Sequence, residues 1–205
     1  MNKKVLVVDL DGTLYKINTF HHFLRFIVIS CVKNLRLVPL IEIIGFMGLR
    51  FLKISSHAKL KYNVLKVISD KNWINQSKFV KSISEYKRNL NVEKSEFDIT
   101  ILATAAPSSY AEIIAKNENF GLCMATNYLG SAFHAEFENS KEVKKDTVMN
   151  YLNKSDIDKI GTLITDHIDD LPLMKVSENV KIVQPNENLI ADLKRQEITF
   201  EIINC

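Results

Sequence analysis

Val5-Leu6-Val7-Val8-Asp9-Leu10-Asp11-Gly12-Thr13 decides the fold. Four apolar residues, three of them valine, read as a buried strand, because β-branched side chains suit a pleated surface covered on both faces. Asp9 and Asp11 follow at its carboxyl end, where open α/β sheets place their active sites. Gly12 permits a tight turn that lets the second carboxylate reach across the same crevice. An Asp-Gly turn after a strand is ordinary on its own. A second acidic stretch changes its meaning. Ile160-Gly161-Thr162-Leu163-Ile164-Thr165 is another strand-like run, and it leads into Asp166-His167-Ile168-Asp169-Asp170-Leu171-Pro172. Carboxylates from two strand ends can converge on one hard cation, which prefers oxygen ligands.

Between these stretches the pattern changes once. Residues 18–90 read as helix without a convincing strand: Leu60, Val64, Val67 and Ile68 share one helical face, as do Phe79, Ile83, Tyr86 and Leu90. From residue 97 strands and helices alternate. Strands are expected over 98–103, 121–127, 132–137, 160–165, 180–183 and 198–203. Ser109 with Glu112 and Asn139 with Glu142 resemble capping boxes opening helices over 110–118 and up to Leu152. Alternation of this kind implies an α/β, Rossmann-like, mostly parallel sheet with helices on both faces. The division is a core of residues 1–14 and 97–205, with an all-helical cap of residues 15–96 inserted after the first strand.

A chain of 205 residues, 46% hydrophobic, is long enough for one such core plus an insertion. Cys31, Cys123 and Cys205 have no metal-ligand spacing and read as reduced thiols, so a cytoplasmic location is expected. Met1-Asn2-Lys3-Lys4 runs straight into a short strand, which is not the pattern of a signal peptide.

These residues resemble the haloacid dehalogenase-like (HAD) hydrolase superfamily. Asp9 to Thr13 is similar to its DxDGT motif. Thr104, ending a strand, is similar to its second motif, and Asp166 to Pro172 to its acidic fourth motif, with Thr165 where glycine is usual. An all-helical insert directly after the first motif resembles the C1-capped, phosphoserine phosphatase-like branch. The resemblance implies an Mg²⁺-dependent phosphatase acting on a phosphate monoester through an aspartyl-phosphate. Asp9 would be the nucleophile and Asp11 the acid and base; Mg²⁺ would be held by Asp9, the Asp11 carbonyl and Asp166, with Asp170 placed as a further metal-site residue or as a group that orients the lysine. A lysine near a helix start is also implied, for which Lys141, Lys144 and Lys145 compete. Lys144 is preferred because it precedes the apolar positions of its helix. Thr13, Thr104, Lys144, Lys145 and Arg25 are expected against the substrate, with Arg50, His57 and Lys61 as further anion contacts. Because Asp11 can protonate an alkoxide leaving group, phosphatase chemistry is favoured over dehalogenation, and a scaffold that has lost its acids is disfavoured.

Charge is uneven. Residues 15–69 hold nine Lys/Arg against one acid, Glu42, leaving 18 basic and 23 acidic residues elsewhere. A basic cap attracts anions. A small phosphorylated metabolite is the favoured substrate. The alternative is a lipid or polyprenyl phosphate met by a protein lying peripherally on the inner membrane surface, because Phe23 to Val32 and Leu37 to Leu52 are very apolar yet too short to span a bilayer. No aromatic-basic pattern supports nucleic acid as a partner. Oligomeric state is not legible in the sequence.

Overall fold

In the computed structural model, which describes residues 3–69, 73–126 and 137–205, β1 (Val5–Val8) is buried along its whole length. Each face of the strand meets a different core. Leu6 and Val8 join one cluster with residues of the inserted helices, while Val5 and Val7 join a second cluster on the opposite face. That is the period-two geometry of a strand covered on both sides. The remaining strands are β2 (Ile99–Pro107), β3 (Leu122–Thr126), β4 (Ile160–Thr165), β5 (Ser177–Val183) and β6 (Glu201–Ile203). They form one sheet in the order β3-β2-β1-β4-β5-β6, with every pairing parallel. Strand order reverses at β1, so a crevice opens at the carboxyl ends of β1 and β4. The two acidic stretches begin there.

Between β1 and β2 lie α1 (Thr19–Lys33), α2 (Leu37–Phe51), α3 (His57–Ile68) and α4 (Gln76–Ser82). Asn18, Ser56 and Asn75 accept the N–H of His21, Lys59 and Lys78, which fixes where α1, α3 and α4 start. The core helices are α5 (Ser108–Asn117), α6 (Lys141–Leu152), the short α7 (Leu171–Met174) and α8 (Glu187–Arg195). The chain leaves and rejoins the core at adjacent points: Lys16 N donates to Tyr86 O and Arg88 N to Leu14 O, both at 2.9 Å. The insertion does not pack separately. Phe23 of α1 and Phe79 of α4 pack against each other and against Tyr110 of α5 in tilted and edge-on arrangements, with centroids 4.8–5.1 Å apart.

Several local expectations are corrected. The stripe through Tyr86 and Leu90 is not one helix: α4 stops at Ser82, and a 3₁₀ turn over Ser84–Tyr86 ends in the bonds to Leu14 and Lys16 that close the insertion. Neither capping box forms. The strand runs on to Pro107, so α5 begins before Ser109, whose hydroxyl is buried with no hydrogen-bond partner among the described residues; the Asn139 amide turns instead to the carbonyls of Thr104 and Met124. The last strand is shorter than residues 198–203, because Ile198 N is taken by Leu193 O at the end of α8. Most of the strand expected over 132–137 lies outside the described residues, and so does Asn127.

Because one aromatic cluster joins the insertion to α5 of the core, Phe79→Ala should cost about 3–5 kcal/mol. Chemical denaturation should show both parts unfolding in a single transition.

Candidate active site

The site is built around a buried ammonium. Lys144, in the first turn and a half of α6, points under the carboxyl edge of the sheet, where its Nζ donates to Asp9 Oδ1 and Asp170 Oδ1, each at 2.7 Å. Thr165, the last residue of β4, donates to Asp170 Oδ2 at 2.6 Å, so both oxygens of Asp170 are engaged. The Thr13 hydroxyl lies 2.9 Å from Asp166 Oδ1 and 3.3 Å from Asp9 Oδ2, bridging the two strand ends. Gly12 makes this approach possible. Its φ is +79°, and a Cβ there would collide with the Asp166 carboxylate. Asp11 is held from the other side, its Oδ1 accepting the Thr19 N–H at 2.7 Å from the first residue of α1. The Thr19 hydroxyl contacts the Tyr110 hydroxyl at 3.1 Å. Thr104 Oγ1 accepts the Ala106 N–H at 3.0 Å.

Asp9, Asp11, Asp166 and Asp170 therefore line one cavity of about 1020 Å³ together with two buried ammonium groups, Lys144 and Lys61. Burial pushes Asp9 up to about 7; Lys144 opposes the rise, and Asp170 and Asp166 add to it. Burial also raises Asp11, against the hydrogen bonds from Thr19, and raises Asp166, against the bond from Thr13. Burial alone would lower Lys144, yet Asp9 and Asp170 outweigh it and raise the ammonium above its ordinary value. The surplus of carboxylates over cations and the all-oxygen donor set suit a hard divalent ion. Among the described residues, no three His, Cys, Asp or Glu side chains form a ready-made cage. A site with two carboxylates and a carbonyl is the kind magnesium uses, with water and phosphate completing its shell.

The structure sorts the residues expected from sequence. Asp9, Asp11, Thr104, Lys144, Asp166 and Asp170 line the cavity, with Thr13 buried behind them. Asp170 is corrected as a metal ligand, because Lys144 and Thr165 occupy its carboxylate. Lys145 turns outward and pairs with Glu142 at 2.5 Å and Asp146 at 3.3 Å, while Lys141 pairs with Asp169 at 3.6 Å. Arg25 is exposed on α1 away from the cavity. Arg50 and His57 line it, and so does Lys61, whose ammonium is already committed to Ala105 O at 2.7 Å and to Glu138. His57 Nδ1 lies 3.2 Å from the same Glu138 oxygen. Sequence reasoning missed Glu138, Thr19 and Tyr110, which carry no local pattern. His21 and His22 diverge, His21 toward His57 and His22 toward Tyr86, so they share no ligand. His134 lies outside the described residues.

No protein-family model and no curated protein matches the chain. Solved structures do. The chain is similar to a protein of unknown function from Bordetella pertussis Tohama I, at TM-score 0.75 and 15% identity over 100% of this chain and 99% of that one. It is similar to a phospho-aspartyl intermediate analogue of phosphoserine phosphatase at 0.59 and 11%, over 98% and 94%. A HAD family hydrolase from Salmonella enterica serovar Typhi aligns at 0.52 and 10%, over 99% and 67%. The fold is thus that of the HAD-family hydrolases, in the arrangement found in phosphoserine phosphatase.

Glu138 ties the insertion to the core, and its ionisation gives a test. Burial alone would raise it, but the His57 hydrogen bond and the Lys61 charge win and hold it at about 2 against an ordinary 4.5. A depressed carboxyl stabilises the fold above its unfolded value and loses that contribution as pH falls toward the folded one. Glu138→Gln should therefore be roughly 1.5–3 kcal/mol less stable near neutrality. The deficit should shrink between about pH 4.5 and pH 2, as followed by thermal unfolding across pH.

Proposed function

We propose that the chain is an Mg²⁺-dependent phosphatase that hydrolyses a phosphate monoester through an aspartyl-phosphate on Asp9. The observation that carries this reading is the Lys144 ammonium 2.7 Å from Asp9, with Asp166 across the Thr13 hydroxyl and Asp11 fixed beside the same cavity. In the first step an Asp9 carboxylate oxygen attacks phosphorus, and the bond to the leaving oxygen breaks. Asp11, whose raised pKa lets it carry a proton, passes that proton to the departing alkoxide. In the second step the Asp11 carboxylate takes a proton from water. The resulting hydroxide attacks phosphorus, the bond to Asp9 breaks, and inorganic phosphate leaves.

Thr104 already accepts a backbone N–H, so its own O–H is free to donate to a phosphoryl oxygen. Lys144 holds Asp9 in one rotamer and offsets charge on the transferring group, while Asp170 and Thr165 hold Lys144. The Asp9 and Asp166 carboxylates and the Asp11 carbonyl would hold the metal, which supplies the positive charge that lets an anionic nucleophile approach an anionic ester. The inserted helices close the cavity with apolar and basic side chains, which suits a phosphorylated small molecule whose remainder faces α1, α2 and α3.

Purified protein should release phosphate from a generic aryl phosphate only with Mg²⁺, and chelation should abolish turnover. Asp9→Asn should lower kcat by roughly 10³-fold or more; activity that survives this change rejects Asp9 as the nucleophile. Among the three lysines, Lys144→Ala should abolish turnover, whereas Lys141→Ala and Lys145→Ala should leave it nearly intact. Equal activity in all three would overturn the assignment of Lys144.

A further inference from the structure

We propose that the outward face of α2 is a docking surface for an anionic lipid bilayer. A helix that is apolar around its whole circumference is normally buried. In α2 only Ile43 is. Leu37, Val38, Ile41 and Ile44 are 64%, 68%, 70% and 53% exposed, and Phe51 and Leu52 beyond them are 86% and 65% exposed. Twelve of the fifteen exposed large apolar side chains among the described residues fall between residues 29 and 54, at the end of α1, on α2 and in the chain that follows it. Concentrated exposure of this kind marks a contact surface.

Charge selects the occupant. Lys33, Arg36, Arg50 and Lys53 are exposed at the two ends of the helix, against the single acid Glu42. Apolar side chains bordered by cations match an interface whose headgroups are anionic and whose interior is hydrocarbon. A second copy of this chain fits less well, because pairing the same face would bring the same four cations together. The bilayer would be met at its surface: α2 is 15 residues long, and no helix among the described residues is long and apolar enough to cross a membrane. Position adds a further observation. Met47, Arg50 and Phe51 of α2 also line the cavity that holds Asp9, so docking on this face would set the cavity mouth against the headgroup layer.

The test reads binding, independently of turnover. The full chain is floated with vesicles of phosphatidylcholine containing phosphatidylglycerol, and with phosphatidylcholine alone, while light scattering reports its mass without lipid. Wild type and Asp9→Asn should both float with the anionic vesicles, and at least about tenfold less with the neutral ones. The double variant Ile41→Glu, Ile44→Glu should lose flotation to the same degree, with unchanged melting and unchanged hydrolysis of an aryl phosphate. The proposal is overturned if wild type stays with the soluble fraction in anionic vesicles, or if the double variant floats as wild type does. A dimer that the double variant dissociates, in a wild type that does not float, would assign the face to a second copy instead. Flotation without aryl-phosphate hydrolysis would leave the docking surface standing and reject the catalytic reading.

Discussion

One ammonium group holds this site together. Lys144 lies buried between Asp9 and Asp170, so three segments distant in sequence (the end of β1, the start of α6 and the turn after β4) must pack together before either acid can be buried. A buried ion pair contributes little net stability compared with a well-packed apolar one, but removing one partner leaves an uncompensated charge and is severe. The arrangement is accordingly a geometric constraint more than a source of stability. It fixes the Asp9 rotamer and excludes most other placements of α6. Thr165 completes it by occupying the oxygen of Asp170 that Lys144 does not reach.

Around that fixed point the electrostatics are deliberately out of balance. Burial raises Asp9, Asp11 and Asp166, repulsion from neighbouring acids adds to the rise at Asp9 and Asp166, and the buried Lys144 and Lys61 do not cancel it. A fold left with unmatched carboxylates is organised for something that arrives with positive charge or with protons to exchange. The raised pKa of Asp11 suits a group that carries a proton between two steps, and the Thr13 bridge keeps Asp9 and Asp166 near each other without ion pairing. The insertion is bound into this scheme through Thr19 at Asp11 and through Lys61 and His57 at Glu138, so its position and that of the acids are linked.

The sheet was legible because its information is local. β1 and β4 are short apolar runs that end in acids, and the same runs carry Asp9, Asp11 and Asp166 to the crevice. The 100° turn between neighbouring helical residues makes Lys144 and Lys145 diverge without saying which points inward; the packing of α6 on the sheet sends Lys144 to Asp9 and leaves Lys145 with Glu142. Arg25 was a misplaced expectation that periodicity could have prevented: Phe20, Phe23, Leu24, Ile27 and Cys31 form the buried stripe of α1, and residue 25 lies out of phase with it. Glu138 with Lys61, and Thr19 with Asp11, were beyond sequence reasoning, since long-range side-chain pairing leaves no periodic trace. Asn139 shows a local rule overridden: a residue suited to cap α6 is drawn off by the carbonyls of Thr104 and Met124.

The central claim is that Asp9 itself accepts the phosphoryl group. Acid quenching during turnover of an aryl phosphate with Mg²⁺, followed by peptide mass spectrometry, tests it most directly. The account predicts a phosphoryl adduct confined to the peptide bearing Asp9 and absent in its asparagine variant. Steady hydrolysis with that peptide unmodified, or with the adduct on a different residue, would contradict it.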